Sequence, residues 1–409
     1  MTQDTRRSLP GWLMLLFIAT LALGTDEFVI SGILPDVAGD FGVTAGRAGL
    51  LVTAFALAFC LGSPIAAVAT DRLDKKVVLV GGLIVFAIAN GLMAVVDTFW
   101  LAIVLRILAG VAAGAVSPTA MAIAGTRAPS GSEGRYLAVA TAGLTVALFT
   151  GVPIGTWVGQ MWSWRGTFIL IAVVALIVAV LSALLTPRVP GNEPTPLSVR
   201  LGPVRDWQVL SLVLAMFLCG AGGLTFYSFL GTTVERELGA APGNVTWTLL
   251  LVGVVGVVAV FGGGSLADSK GPRVARLVIV GGHAIALLAV GIYLALGGGF
   301  GLWFLVLVSV WSLFAWALSP AMQASIIAVD PQRAMLSAAL GISGLYGGAG
   351  VGAAIGGALI DNLGAASIPL VASAFVAAAW LLTTRKDRPI APEETPAAAG
   401  PDAAGSKEN

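Results

Sequence analysis

The chain has 409 residues, of which 57% are hydrophobic and only 11% charged, and its formal net charge is +1. Soluble domains carry about 25% charged residues, so this composition excludes an ordinary water-soluble fold and points to a lipid bilayer. A near-neutral chain also lacks the basic excess expected of a nucleic-acid partner.

The chain opens with Arg6-Arg7 ahead of an apolar run. That pattern resembles a secretory or twin-arginine signal, but the run has no small-residue cleavage site, so it is read as a membrane span. Twelve apolar runs of about 20 residues follow, each long enough to cross a hydrocarbon core of about 30 Å. The first six cover 12–34, 46–69, 77–96, 99–125, 136–161 and 166–187, and the second six cover 207–233, 244–267, 274–297, 299–328, 336–360 and 363–384. Pro, Gly and charge fill the break between the two sets. The expected organisation is therefore an N-terminal bundle at 1–187, a cytoplasmic linker at 188–206, a C-terminal bundle at 207–385 and a disordered tail at 386–409. The basic residues suggest an orientation with both termini in the cytoplasm. It places eighteen of the 22 Lys and Arg inside, leaves Arg47, Arg165 and Arg236 outside and buries Arg106.

Span 1 carries Asp26 and Glu27, and span 4 carries Arg106. Ionisable groups at such positions are functional by default, because charge is costly in hydrocarbon. Both sites fall about 10–14 Å below the outer surface at about 1.5 Å per residue, so they can meet at one depth. A carboxylate there responds to burial, to a nearby guanidinium and to access of water, which lets it exchange a proton for a cargo. Neighbouring helical residues point about 100° apart, so one of the two faces the cavity better. Glu27 is read as the proton carrier and Asp26 as secondary. The competing reading is a structural ion pair.

After span 2 the chain reads Ala67-Val-Ala-Thr-Asp71-Arg72-Leu-Asp74-Lys75-Lys76, and 197 residues later Gly264-Ser-Leu-Ala-Asp268-Ser-Lys-Gly271-Pro-Arg273 repeats it after span 8. One charged hairpin per half implies that the chain is a duplicated transporter. Asp71 and Asp268 are placed to approach the positive N-terminal end of a neighbouring helix, while Arg72, Lys76 and Arg273 anchor to lipid phosphate, together latching one conformation. Ala67 and Asp74 stand where the second copy has glycine, so the first turn must be built differently.

Span 5 sets Gly143, Ala147, Gly151, Gly155 and Gly159 four residues apart, with Pro153 among them, which gives a smooth groove and a kink suited to gating. Span 11 matches it with Gly344, Gly348, Gly352 and Gly356. Ser117-Pro118 and Ser319-Pro320 repeat in spans 4 and 10, their serines placed to satisfy carbonyls that proline frees. Cys60 and Cys219 lie one per half inside apolar runs and are read as packing residues. The single histidine, His283, falls in span 9 and is read as structural.

These features resemble the major facilitator superfamily, in its 12-span drug:proton antiporter branch, over residues 12–384. Its signature loop, Gly-x-Leu-Ala-Asp-x-x-Gly-x-Arg, is intact around Asp268 and eroded around Asp71. Leu105-Arg106-Ile-Leu-Ala-Gly110 with Gly114 is similar to the branch's fourth-span motif, whose arginine is implicated in proton coupling. Gly151-Val-Pro153-Ile-Gly155-Thr with Gly159 is similar to its antiporter motif. Leu23-Gly24-Thr25-Asp26-Glu27-Phe28, Leu34-Pro35 and Trp164-Arg165-Gly166-Thr167-Phe168 resemble a bacterial subgroup of chloramphenicol, sugar and purine-nucleoside exporters.

The resemblance implies an all-α integral membrane protein with twelve transmembrane helices in two pseudo-symmetric six-helix bundles. Spans 1, 4, 7 and 10 would line a central cavity, with Thr53, Thr145, Phe226, Tyr227, Trp316 and Tyr346 as cargo contacts. The sparse polar lining suits a neutral, partly hydrophobic molecule better than a free sugar. The expectation is a monomeric, proton-coupled drug exporter of a bacterial inner membrane that runs on the proton gradient without cofactor or metal. Export of an endogenous sugar or purine nucleoside is the alternative. No nucleophile, metal cluster or acid–base set marks an enzyme.

Overall fold

The computed structural model describes residues 9–129, 132–191, 206–329 and 334–384. Most of the linker and all of the C-terminal tail expected from the sequence lie outside these residues. Span 1 is the helix Gly11–Asp40, span 2 Ala45–Ala69, span 3 Lys75–Met93, span 4 Phe99–Thr126 and span 6 Trp164–Leu185. Span 8 is Pro242–Lys270, span 9 Pro272–Ala295, span 10 Leu302–Val329, span 11 Ala334–Leu363 and span 12 Ser367–Thr383.

Spans 5 and 7 are interrupted. Span 5 is two helices, Glu133–Phe149 and Gly151–Met161, meeting at a bend of 40°. Pro153 stands in the first turn of the second helix, where proline is tolerated, so the kink falls at Thr150 rather than at the proline. Span 7 runs Trp207–Cys219, passes through a π-helical turn at Gly220–Leu224, and ends in a second one at Thr233–Glu237. Span 1 also continues six residues past its expected end, because Pro35 is carried inside the helix.

The two halves repeat one packing scheme. In the first, span 1 packs on span 5, span 2 on span 4, and span 3 on spans 4 and 6. In the second, span 7 packs on span 11, span 8 on span 10, and span 9 on spans 10 and 12. The small-residue stripes cause two of these pairings. A Cβ on Gly155 would come within 2.7 Å of Val29 Cγ2, and one on Gly159 within 2.8 Å of Ile33 Cγ2, so span 5 lies directly on span 1. Gly348 and Gly352 admit span 7 in the same way, against Phe217 and Ala221. Small residues allow this backbone approach where lipid supplies no hydrophobic drive between helices.

Spans 2 and 11 and spans 5 and 8 make the long contacts between halves. At the end of the molecule bearing Asp40, hydrogen bonds also cross. Thr44 Oγ1 donates to Asp361 Oδ2 at 2.6 Å, Gln160 Nε2 to the Pro242 carbonyl at 2.8 Å and Arg236 Nη2 to the Pro35 carbonyl at 2.8 Å. At the Asp71 end the bonds of Lys75, Arg127 and Arg273 stay within their own half.

Candidate functional site

The first half of the site is an ion pair. Arg106 Nη1 donates to Asp26 Oδ1 at 2.8 Å, and both side chains are almost wholly buried, 1% and 0% exposed. Its Nε reaches toward the Leu51 carbonyl at 3.5 Å, and the guanidinium lies 4.3 Å from the ring centre of Phe55. A buried charge needs such pairing, and a guanidinium can fork to a carboxylate while resting on an aromatic face. Asn90 of span 3, fully buried, borders the same carboxylate. Close packing fixes the depth: a Cβ on Gly24 would stand 3.0 Å from Ala147 Cβ of span 5.

Glu27 turns away from that pair. Its Oε2 accepts a hydrogen bond of 2.6 Å from Tyr346 Oη, which belongs to span 11 in the other half. Phe59 of span 2 stacks on the Tyr346 ring at 4.3 Å and holds it. Glu27 and Arg106 border a cavity of about 20 Å³ whose wall includes Phe28, Phe55 and Tyr227. Asp26 is therefore bound within one half, whereas Glu27 joins one half to the other. The two neighbours differ in role because one helical step of about 100° points them at different spans.

Phe28, Tyr227 and Trp316 form a cluster beside this cavity, with ring centres 5.3–5.7 Å apart and edges meeting faces. Tyr227 and Trp316, two of the residues named as cargo contacts from the sequence, are thus in contact with each other and with Phe28. Thr53, in span 2, has a buried hydroxyl without a hydrogen-bonding partner among the described residues, and Thr145 is half-buried in span 5. Phe226 is misplaced by the sequence reading. It is fully buried against Trp311 at 4.8 Å and does not border this cavity. Tyr346 is first of all the partner of Glu27.

The hairpins also differ from expectation. Asp74, not Asp71, takes the N–H at the start of span 3, from Lys76 at 2.8 Å. Lys75 Nζ turns back onto the Thr70 and Asp71 carbonyls, and Arg72 is exposed. In the second copy span 8 runs on to Lys270, Asp268 is exposed on its last turn, and Gly271 at φ +86° makes the whole connection. Arg273 donates to the Thr384 carbonyl in its own half. Gly151 lies against Thr25, Gly155 against Val29 and Gly159 against Ile33, one helical turn apart along the helix that carries Asp26 and Glu27.

Near the prolines, Thr119 rather than Ser117 donates to a carbonyl, that of Ala115, and Ser319 accepts from Gln323. His283, read from the sequence as structural, borders a second cavity, in the C-terminal half. Phe55, Phe59 and Asn90 escaped the sequence reading, since nothing in an all-apolar span marks which face turns inward.

A family model described as Major Facilitator Superfamily matches residues 16–335. The chain is 32% identical to a chloramphenicol resistance protein of Streptomyces lividans over 289 residues, 69% of this chain and 74% of that one. It is 28% identical to a probable sugar efflux transporter of Mannheimia succiniciproducens, covering 86% of this chain and 88% of the other. Among solved structures, a D-xylose–proton symporter superposes with a TM-score of 0.74 at 17% identity, over 92% of this chain and 97% of that one. At such identity the likeness concerns the fold.

Proposed function

Because this chain belongs to the major facilitator superfamily, we propose that it is a proton-coupled antiporter exporting small, partly hydrophobic molecules of chloramphenicol's kind across a bacterial cytoplasmic membrane. The observation that carries this reading is the hydrogen bond of 2.6 Å from Tyr346 to Glu27, a tie between halves that ends on a titratable group. Bonds to an ionised acceptor are roughly twice as strong as neutral ones. Protonation of Glu27 therefore loosens span 1 from span 11, and deprotonation restores the tie. Asp26 keeps its charge on Arg106 and positions the helix.

Alternating access then consists of rocking one bundle on the other about this midplane site. With the termini cytoplasmic, the bonded end around Asp361 faces outward, and the form described is closed to the outside. Similarity to a chloramphenicol resistance protein and the apolar walls support the cargo class. Similarity to a probable sugar efflux transporter keeps sugar export as the second reading.

Cells expressing wild type or Glu27→Gln, with and without a protonophore, test this through chloramphenicol accumulation. The expected result is lower accumulation in wild type alone, abolished by the protonophore. If wild type and variant both match empty cells, sugar or nucleoside export becomes the leading reading. If Glu27→Gln still exports in a protonophore-sensitive way, Asp26 replaces Glu27 as the carrier.

A further inference from the structure

A second cavity, of about 60 Å³, lies inside the C-terminal half, walled by spans 7, 9, 10 and 11. Its lining includes Cys219, Tyr227, His283, Trp311, Trp316 and Ser319, and none of its lining residues is Asp, Glu, Lys or Arg. Most of this wall is apolar, yet neither ring nitrogen of His283 has a hydrogen-bonding partner among the described residues, and the ring is 1% exposed. The indole Nε1 of Trp311, also 1% exposed, is likewise without one. Buried polar groups in folded proteins are almost always bonded, and leaving one unmet costs about 1–3 kcal/mol. The Nε1 of Trp316, on the same wall, is unmet as well, and three such residues on one small cavity call for a shared partner.

The backbone is shaped to bring the imidazole there. Gly223 lies in the π-helical turn of span 7, and a Cβ at that position would stand 2.5 Å from His283 Cε1 and 2.7 Å from Nε2. A π-turn gives up regular helix bonding and recurs at functional sites. Here it sets a glycine against the one histidine of the chain. The cavity also adjoins the proton site, since Leu224 and Tyr227 border both cavities, and Trp316 closes the aromatic cluster between them.

We propose that this cavity is the subsite for one end of the cargo, a neutral group bearing hydrogen-bond acceptors, such as a nitro or carbonyl group on an aromatic ring. Trp311 contributes an N–H donor, and a neutral imidazole contributes one donor and one acceptor. The uncharged lining disfavours a carboxylate or an ammonium group, for which desolvation would go uncompensated. At about 60 Å³ the cavity takes an end group, not a whole drug-sized body, whose pockets run to about 300–1,000 Å³. The rest of the molecule extends past Tyr227 toward Glu27, so that cargo and proton compete across one aromatic wall. This inference rests on the proposed export of neutral, partly hydrophobic molecules.

The single histidine makes the test direct. Full-length protein carrying a histidine-free affinity tag is labelled with ¹⁵N in its imidazole, placed in lipid nanodiscs and titrated with chloramphenicol and, separately, with 4-nitrobenzyl alcohol. Equilibrium dialysis runs in parallel. The expected result is a saturable shift of the imidazole ¹⁵N signal with chloramphenicol. His283→Phe should bind about tenfold more weakly, the effect of one lost hydrogen bond, and Trp311→Phe, which keeps the ring face and loses the N–H, should weaken binding similarly.

His283→Asn, which keeps a donor and an acceptor, should retain most of the affinity. If chloramphenicol binds but the signal stays fixed and both variants bind normally, the subsite is overturned while the cargo reading stands. If chloramphenicol does not bind, the cargo reading fails and 4-nitrobenzyl alcohol decides: a saturable shift supports the subsite, and an unmoved signal overturns it.

Discussion

At the scale of single residues, the contrast between Asp26 and Glu27 governs the site. Arg106 is bound to Asp26 through Nη1 and lies over the Phe55 ring, contacts that the compact charge of a lysine ammonium would not reproduce together. Arg106→Ala should leave a buried unpaired carboxylate and lower stability by about 3–5 kcal/mol, and Asp26→Asn in the same chain should recover part of that loss. Thermal unfolding of the purified single and double variants measures both, and equal melting points for single and double variants would contradict the pairing. Tyr346→Phe removes the hydroxyl but keeps the ring stacked on Phe59, so expression and folding should survive while the pH dependence of transport shifts. An unchanged pH profile would show that this bond has no part in coupling.

The meeting of Arg106 with the two carboxylates was legible in the sequence, because charge inside apolar runs has few explanations and helix rise set both sites at one depth; that Asp26 is the one paired was not. The partner of Glu27 was not, since Tyr346 and His283 sit in spans apolar on every face, where periodicity does not distinguish inward from outward.

At the scale of helices, the stripe in span 5 works as a rail for span 1. Gly155→Val should reduce transport at least about tenfold, because a branched side chain must displace Val29 and with it the helix that carries Glu27. Gly166→Ala makes the control: its added Cβ would meet nothing nearer than 3.5 Å, so transport should stay near wild type. Vesicle uptake of the two variants at matched protein levels tests this, and equal activity would remove the rail from the mechanism. Four-residue spacing made both stripes visible in advance, since small residues at that period can only form one face. The interruptions of spans 5 and 7 were not visible. The bend at Thr150 precedes the proline that seemed to cause it, and the π-turn at Gly220–Leu224 falls inside an apolar run with no residue that announces it.

At the scale of the whole molecule, duplication was plain from the two charged hairpins, and the repeated pairing of spans follows from it. Which end is tied across the halves was not, because those bonds join residues 82 to 317 positions apart, such as Thr44 and Asp361.

The proposed proton cycle at Glu27 is tested most directly in proteoliposomes holding wild type or Glu27→Gln, with an imposed pH gradient and labelled chloramphenicol. Wild type should concentrate the compound against its gradient in exchange for protons, while Glu27→Gln should equilibrate it without concentrating it. Concentration by Glu27→Gln equal to that of wild type would contradict the assignment of Glu27 as the proton carrier.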